Sequence, residues 1–158
     1  MIEIERINTI VFDWGRTLWD PDNERLFPDA VAILERLASD RTLMIVSLAT
    51  KGEAEIARRR AMIATLGIAK LFSDIVFVTE EKDAAYESLY AKHVLVPNET
   101  AIVDDRTMRG IAWGNRVGST TIWFRNGKFA DELPDETTGE PTHIIHEFSE
   151  LRRIFDLT

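Results

Sequence analysis

The chain has 158 residues, 45% of them hydrophobic and 29% charged, and a formal net charge of −8. A chain of this length buries roughly 70% of its unfolded surface as one domain, so residues 1–158 are expected to form a single unit. The lack of cysteine excludes disulfides, thiolate metal sites and cysteine nucleophiles, the acidic balance disfavours nucleic acid and anionic lipid as partners, and no apolar run approaches the ~18 residues of a membrane span.

Residues 1–5 are acidic and carry no signal-peptide pattern, which makes the cytoplasm the expected compartment. The run 9–12 then reads as a buried strand, and similar apolar runs follow at 43–46, 75–78, 101–103, 121–124 and 144–145. All but the last are rich in β-branched or aromatic residues without polar alternation, as in strands covered on both faces. Helical spacing fills the intervals. Ala30, Ile33, Leu34 and Leu37 follow an i, i+3, i+4, i+7 stripe after Pro28. Ile56, Ile63 and Leu66 mark a second helix ended by Gly67, with Arg58, Arg59 and Arg60 read as its solvated face. Tyr86, Leu89 and Tyr90 mark a third helix, Met108, Ile111 and Ala112 a fourth, and Phe148, Leu151 and Phe155 the last. Residues 125–141, with an Asn126-Gly127 turn, read as a mobile tract or a surface hairpin. This alternation predicts a three-layer, Rossmann-like α/β fold, a parallel sheet with helices on both faces.

Ligands of open parallel sheets bind beyond the carboxyl ends of the strands, so the polar residue closing each strand carries the information. The first strand ends at Asp13, the second at Ser47, the third shortly before Lys82, and the fourth at Asp104-Asp105. Each residue has a bland reading, as turn former, helix cap or surface lysine. The ordered set at four successive strand ends favours a shared site.

These segments resemble the motifs of the haloacid dehalogenase (HAD) superfamily of phosphatases and related hydrolases. Ile10-Val11-Phe12-Asp13-Trp14-Gly15-Arg16-Thr17-Leu18 is similar to the first motif, an apolar strand followed by Asp-x-Asp-x-Thr-Leu. Ser47, after Met44-Ile45-Val46, resembles the second, Lys82 the third, and Ala101-Ile102-Val103-Asp104-Asp105 the fourth. Thr142-His143-Ile144-Ile145 resembles the usual C-terminal strand. The resemblance implies that Asp13 attacks phosphorus to form an aspartyl-phosphate, and that Ser47 and Lys82 hold the phosphoryl oxygens. It also implies Mg²⁺ bound by Asp13, the main-chain carbonyl of Gly15, and Asp105 or Asp104. The intervals between motifs leave no room for an inserted cap domain. A flap over residues 14–27, flanked by Trp14 and Trp19, would then be the only cover, and a phosphorylated small molecule or a phosphoprotein would be the substrate.

The chain departs from that pattern twice. The carboxylate that protonates the leaving group is replaced by Gly15, and loss of such a group typically costs about 10²–10⁴-fold in rate. Asp20, Asp22 and Glu24 are the candidates to substitute for it. The further acid of the fourth motif is replaced by Gly110. Two readings follow: a slow Mg²⁺-dependent phosphomonoester hydrolase, or a HAD-like domain that has lost turnover and serves a binding or regulatory role. A phosphoacceptor receiver domain uses similar residues, but its acid pair follows the first strand. Gly110, Gly114 and Gly118 read as close packing, and His93, His143 and His146 show no metal-site spacing.

Overall fold

The computed structural model describes residues 7–157; residues 1–5, read above as lacking a signal pattern, lie outside the described residues. Six strands form one parallel sheet in the order β5-β4-β1-β6-β7-β8. They are β1 (Thr9–Phe12), β4 (Thr42–Leu48), β5 (Phe72–Val78), β6 (Thr100–Asp104), β7 (Thr120–Phe124) and β8 (His143–Ile145). Every apolar run of the sequence is a strand, lengthened by up to three residues where its neighbour continues to pair. The helices are α1 (Ala30–Ala38), α2 (Glu53–Thr65), α3 (Asp83–Lys92), α4 (Ala112–Val117) and α5 (Leu151–Ile154).

Side chains alternate between two cores because strand residues point to opposite faces. Ile10, Phe12, Leu43, Ile45 and Val103 pack with α1, α2 and Phe148 on one face. Val11, Met44, Val46 and Ile102 pack with Tyr86, Leu89, Tyr90 and Trp113 on the other. The chain is thus a three-layer α/β fold. α4 lies close on the sheet, since a Cβ at Gly114 would meet Thr121 Cγ2 at 2.6 Å. Gly118 adopts φ 89° just after that helix and terminates it.

Two expectations need correction, and one element is new. Met108 is 67% exposed, because residues Thr107–Ile111 form a π-helical turn rather than the start of α4; the wider turn swings Met108 off the buried face. Residues 125–141 contain no strand pairing, so they are not a hairpin. That tract instead docks on the π-turn, where Glu132 accepts from Arg106 Nε at 2.8 Å and from Met108 N at 3.1 Å. The flap holds a two-stranded antiparallel ribbon, β2 (Trp19–Asp20) and β3 (Arg25–Leu26), absent from the sequence reading.

The sheet order positions the site. β1 lies between β4 and β6, and the chain leaves β1 toward β4 and later crosses back to β6. This is the topological switch point, where diverging connections open a crevice at the strand ends.

Candidate active site

The crevice is a cavity of about 540 Å³ lined by Asp13, Gly15, Ser47 and Asp105 at its floor. Trp19, Lys51, Arg58, Arg59, Arg109 and Lys128 are among the residues around it. Asp13 follows β1 and is anchored by its amide, which donates to Val103 O at 3.0 Å. Its carboxylate is buried and gathers three donors. Ser47 Oγ donates to Oδ1 at 2.9 Å, Lys82 Nζ to Oδ1 at 3.2 Å, and Thr17 Oγ1 to Oδ2 at 3.4 Å. The structure therefore brings Asp13, Ser47 and Lys82 together from three separate strand ends.

Asp104 and Asp105 are chain neighbours with opposite surroundings. Asp104 closes β6 and faces Lys82, whose Nζ donates to its Oδ2 at 2.9 Å. The same carboxylate accepts from Arg106 N at 3.1 Å and from Gly110 N at 2.9 Å. Asp105 lies one residue further, on the cavity side, with its carbonyl held by Trp123 Nε1 at 2.9 Å. The alternation at the end of a strand explains the split.

Gly110 is explained by the same geometry. A Cβ there would meet Asp104 Oδ2 at 2.6 Å and Tyr86 Oη at 2.7 Å. Asp104 fills the space that a side chain at position 110 would need. Gly15, by contrast, has nothing within 4 Å of its would-be Cβ. The three candidate substitutes do not reach the cavity. Asp20 is buried in its own turn, accepting from Asn23 Nδ2 at 2.7 Å and Asp22 N at 3.1 Å, Asp22 pairs with Arg16 at 2.9 Å, and Glu24 is not among the lining residues.

The electrostatics are those of a crowded cluster of buried acids around the buried ammonium of Lys82. Asp13, Asp104 and Asp105 each place a carboxylate oxygen within 4.8 Å of the others. Burial raises Asp105 most, and the charges of Asp13 and Asp104 add to it, carrying its pKa to about 10. Burial also disfavours ionised Asp104, but the Lys82 ammonium and two amide donors outweigh it and hold the pKa below the usual carboxylate value. Burial likewise opposes a charged Lys82; Asp104 and Asp13 prevail and hold it protonated. The carboxyl oxygens of Asp13, Asp104 and Asp105 form an all-oxygen donor set, and such a set, with the Asp105 proton released, fits a hard divalent cation.

Trp14 and Trp19 stack on each other, with ring centroids 6.0 Å apart and planes 8° from parallel. Packing of the flap accounts for them.

Arg59 was missed. Read as part of a solvated face, it turns inward instead and donates to Ser47 Oγ and Leu48 O, both at 3.1 Å. The signal was present: position 59 falls between Ile56 and Ile63 at i, i+3, i+7, on the stripe that faces the sheet. The flanking arginines disguised it. Arg60 also bonds inward, to Ile75 O at 3.1 Å, while Arg58 stays exposed at the cavity rim.

The family model described as Mitochondrial PGP phosphatase matches residues 2–128. No curated protein matches the chain by sequence. Among solved structures, the chain is similar to the HAD-hydrolase YfnB from Bacillus subtilis, a structure bound to magnesium. Identity is 15% and the TM-score 0.76, over 96% of this chain and 99% of that one. It is also similar to a predicted phosphoglycolate phosphatase from Haemophilus somnus (16% identity, TM-score 0.73, over 94% and 98% of the two chains). A third similar structure is L-2-haloacid dehalogenase from Xanthobacter autotrophicus, at 12% identity and TM-score 0.73 over 95% and 98% of the chains. At such identities these structures establish the fold, and the family match over most of the chain establishes kinship. The chain belongs to the phosphatase family described as Mitochondrial PGP phosphatase, within the HAD-like superfamily whose motifs it resembles.

Proposed function

We propose that residues 1–158 act as one domain and as a Mg²⁺-dependent phosphomonoester hydrolase that works through an aspartyl-phosphate on Asp13. The observation that carries the reading is the convergence on Asp13 of Ser47 Oγ at 2.9 Å and Lys82 Nζ at 3.2 Å, beside the cavity-facing Asp105. The phosphatase family match supports a phosphorylated substrate, and the phosphoglycolate phosphatase among the fold relatives is consistent with a small one.

In the first step the Asp13 carboxylate attacks phosphorus, forming the O–P bond as the ester oxygen departs with its electron pair. Ser47 and Lys82 donate to the phosphoryl oxygens, whose charge grows in the transition state. Asp104 keeps Lys82 charged and aimed, through the 2.9 Å ion pair. In the second step water attacks the aspartyl-phosphate, releasing inorganic phosphate and regenerating the carboxylate. Gly15 supplies no proton for the leaving oxygen, so that proton comes from water and turnover is slow. Asp13 and Asp105, with the Gly15 carbonyl, are the groups to hold the cation. When bound, it offsets the repulsion between carboxylate and phosphate and polarises the phosphoryl group.

The vacant space beside Gly15 also favours a second reading, a domain that binds phosphorylated ligands without turning them over. Hydrolysis of p-nitrophenyl phosphate with Mg²⁺ separates the two. The enzyme reading expects slow hydrolysis that Asp13→Asn abolishes; hydrolysis that is absent, or indifferent to that substitution, supports the binding reading.

A further inference from the structure

Arg59 belongs to none of the motif positions, yet its guanidinium is the most heavily engaged cation at the cavity. Nη1 donates to Ser47 Oγ and to Leu48 O, each at 3.1 Å. Nη2 donates to Glu55 Oε2 at 3.1 Å, one turn earlier on α2. Glu55 Oε1 in turn accepts from Lys51 N at 3.0 Å, in the loop that leaves β4. Arg59 therefore ties the end of β4, its exit loop and α2 into one unit, on the other side of β1 from the strand that carries Asp104.

A serine hydroxyl has one proton and two acceptor lone pairs. Because Ser47 Oγ accepts from Arg59, its own proton is directed to Asp13 Oδ1, 2.9 Å away. An oxygen already bound to a cation also makes its O–H a stronger donor, since successive hydrogen bonds polarise one another. Lys82 cannot supply this effect, being bound to Asp13 and Asp104 on the other side.

We propose that Arg59, clamped by Glu55, is a positioning residue for the phosphoryl-binding hydroxyl. It fixes the rotamer of Ser47, directs the hydroxyl proton into the pocket, and strengthens the hydrogen bond that an incoming phosphoryl oxygen takes over from Asp13. The proposal rests on the phosphoryl-transfer reading above.

A double-mutant cycle tests it, with two readouts: kcat/KM for p-nitrophenyl phosphate, and calorimetric binding of orthovanadate with Mg²⁺. Arg59→Met is expected to lower both by about 10- to 100-fold in the wild-type background, and by less than about threefold in a Ser47→Ala background. Arg59→Lys keeps the charge without the planar fork and recovers only part of the loss. Glu55→Gln, the milder change should Arg59→Met fold poorly, gives a smaller loss that also vanishes in Ser47→Ala. A residue that merely held α2 in place would cost the same in both backgrounds. Equal losses, no loss, or no vanadate binding by the wild type overturn the proposal. Hydrolysis that ignores Asp13→Asn, together with a vanadate cycle of the expected form, would defeat the hydrolase reading and leave Arg59 in its role.

Discussion

Glycine replaces an expected carboxylate at two places in this site, and the two places differ. At Gly110 the space is occupied: a side chain would collide with Asp104 and Tyr86 at 2.6 and 2.7 Å. Asp104 makes the Lys82 ion pair from inside that space. At Gly15 nothing lies within 4 Å, and none of Asp20, Asp22 and Glu24 lines the cavity. A carboxylate stands in the space at one glycine, and none of these three acids reaches the cavity at the other. A motif position therefore says little about chemistry until its neighbours are known.

The sharpest way to break this contrast is to restore the acid where space exists. Gly15→Asp should raise turnover of p-nitrophenyl phosphate by about 10²–10⁴-fold, the usual worth of a general acid. No gain in steady-state kinetics would mean that proton transfer at position 15 is not what limits hydrolysis. Restoring the acid at the filled position should do harm instead. Gly110→Asp forces a second carboxylate against Asp104 and should cost about 3–5 kcal/mol, read from the urea midpoint.

A smaller effect concerns Asp105, whose pKa burial and its acidic neighbours carry from 3.8 to about 10. The folded metal-free chain keeps that proton across a window where the unfolded chain has released it. The stability it contributes is complete below about pH 4 and lost as pH rises toward 10. A bound cation relieves the repulsion, so the rise in Tm on adding Mg²⁺ should be larger at pH 8.5 than at pH 6. Asp105→Asn should flatten that difference. The smallest expected effect is at Asp20, whose carboxylate serves its own turn. Asp20→Asn should leave kcat within about twofold of wild type, and a large fall would reinstate it as the proton donor.

The layered fold was legible because six apolar runs separated by helical stripes admit few topologies. The β2–β3 ribbon was not, since two-residue strands carry no periodicity and owe their pairing to the flap around them. Asp13 and Ser47 were legible as residues closing strands, and Lys82 as a residue shortly after one. The choice between Asp104 and Asp105 was not, because it turns on which side of the sheet edge each residue falls. Arg59 carried a readable signal, obscured because a run of three arginines ordinarily marks a solvated face. Thr17 stood in the first motif without an assigned task, and its 3.4 Å approach to Asp13 becomes visible only in the folded chain.

The most direct test of the account is a crystal structure of the protein with Mg²⁺ and beryllium trifluoride, a stand-in for the phosphoryl group. The account predicts beryllium bonded to an Asp13 carboxylate oxygen, its fluorines facing Ser47 and Lys82, and Mg²⁺ held between Asp13 and Asp105. Beryllium fluoride bound away from Asp13, or Mg²⁺ bound without Asp105, would contradict it.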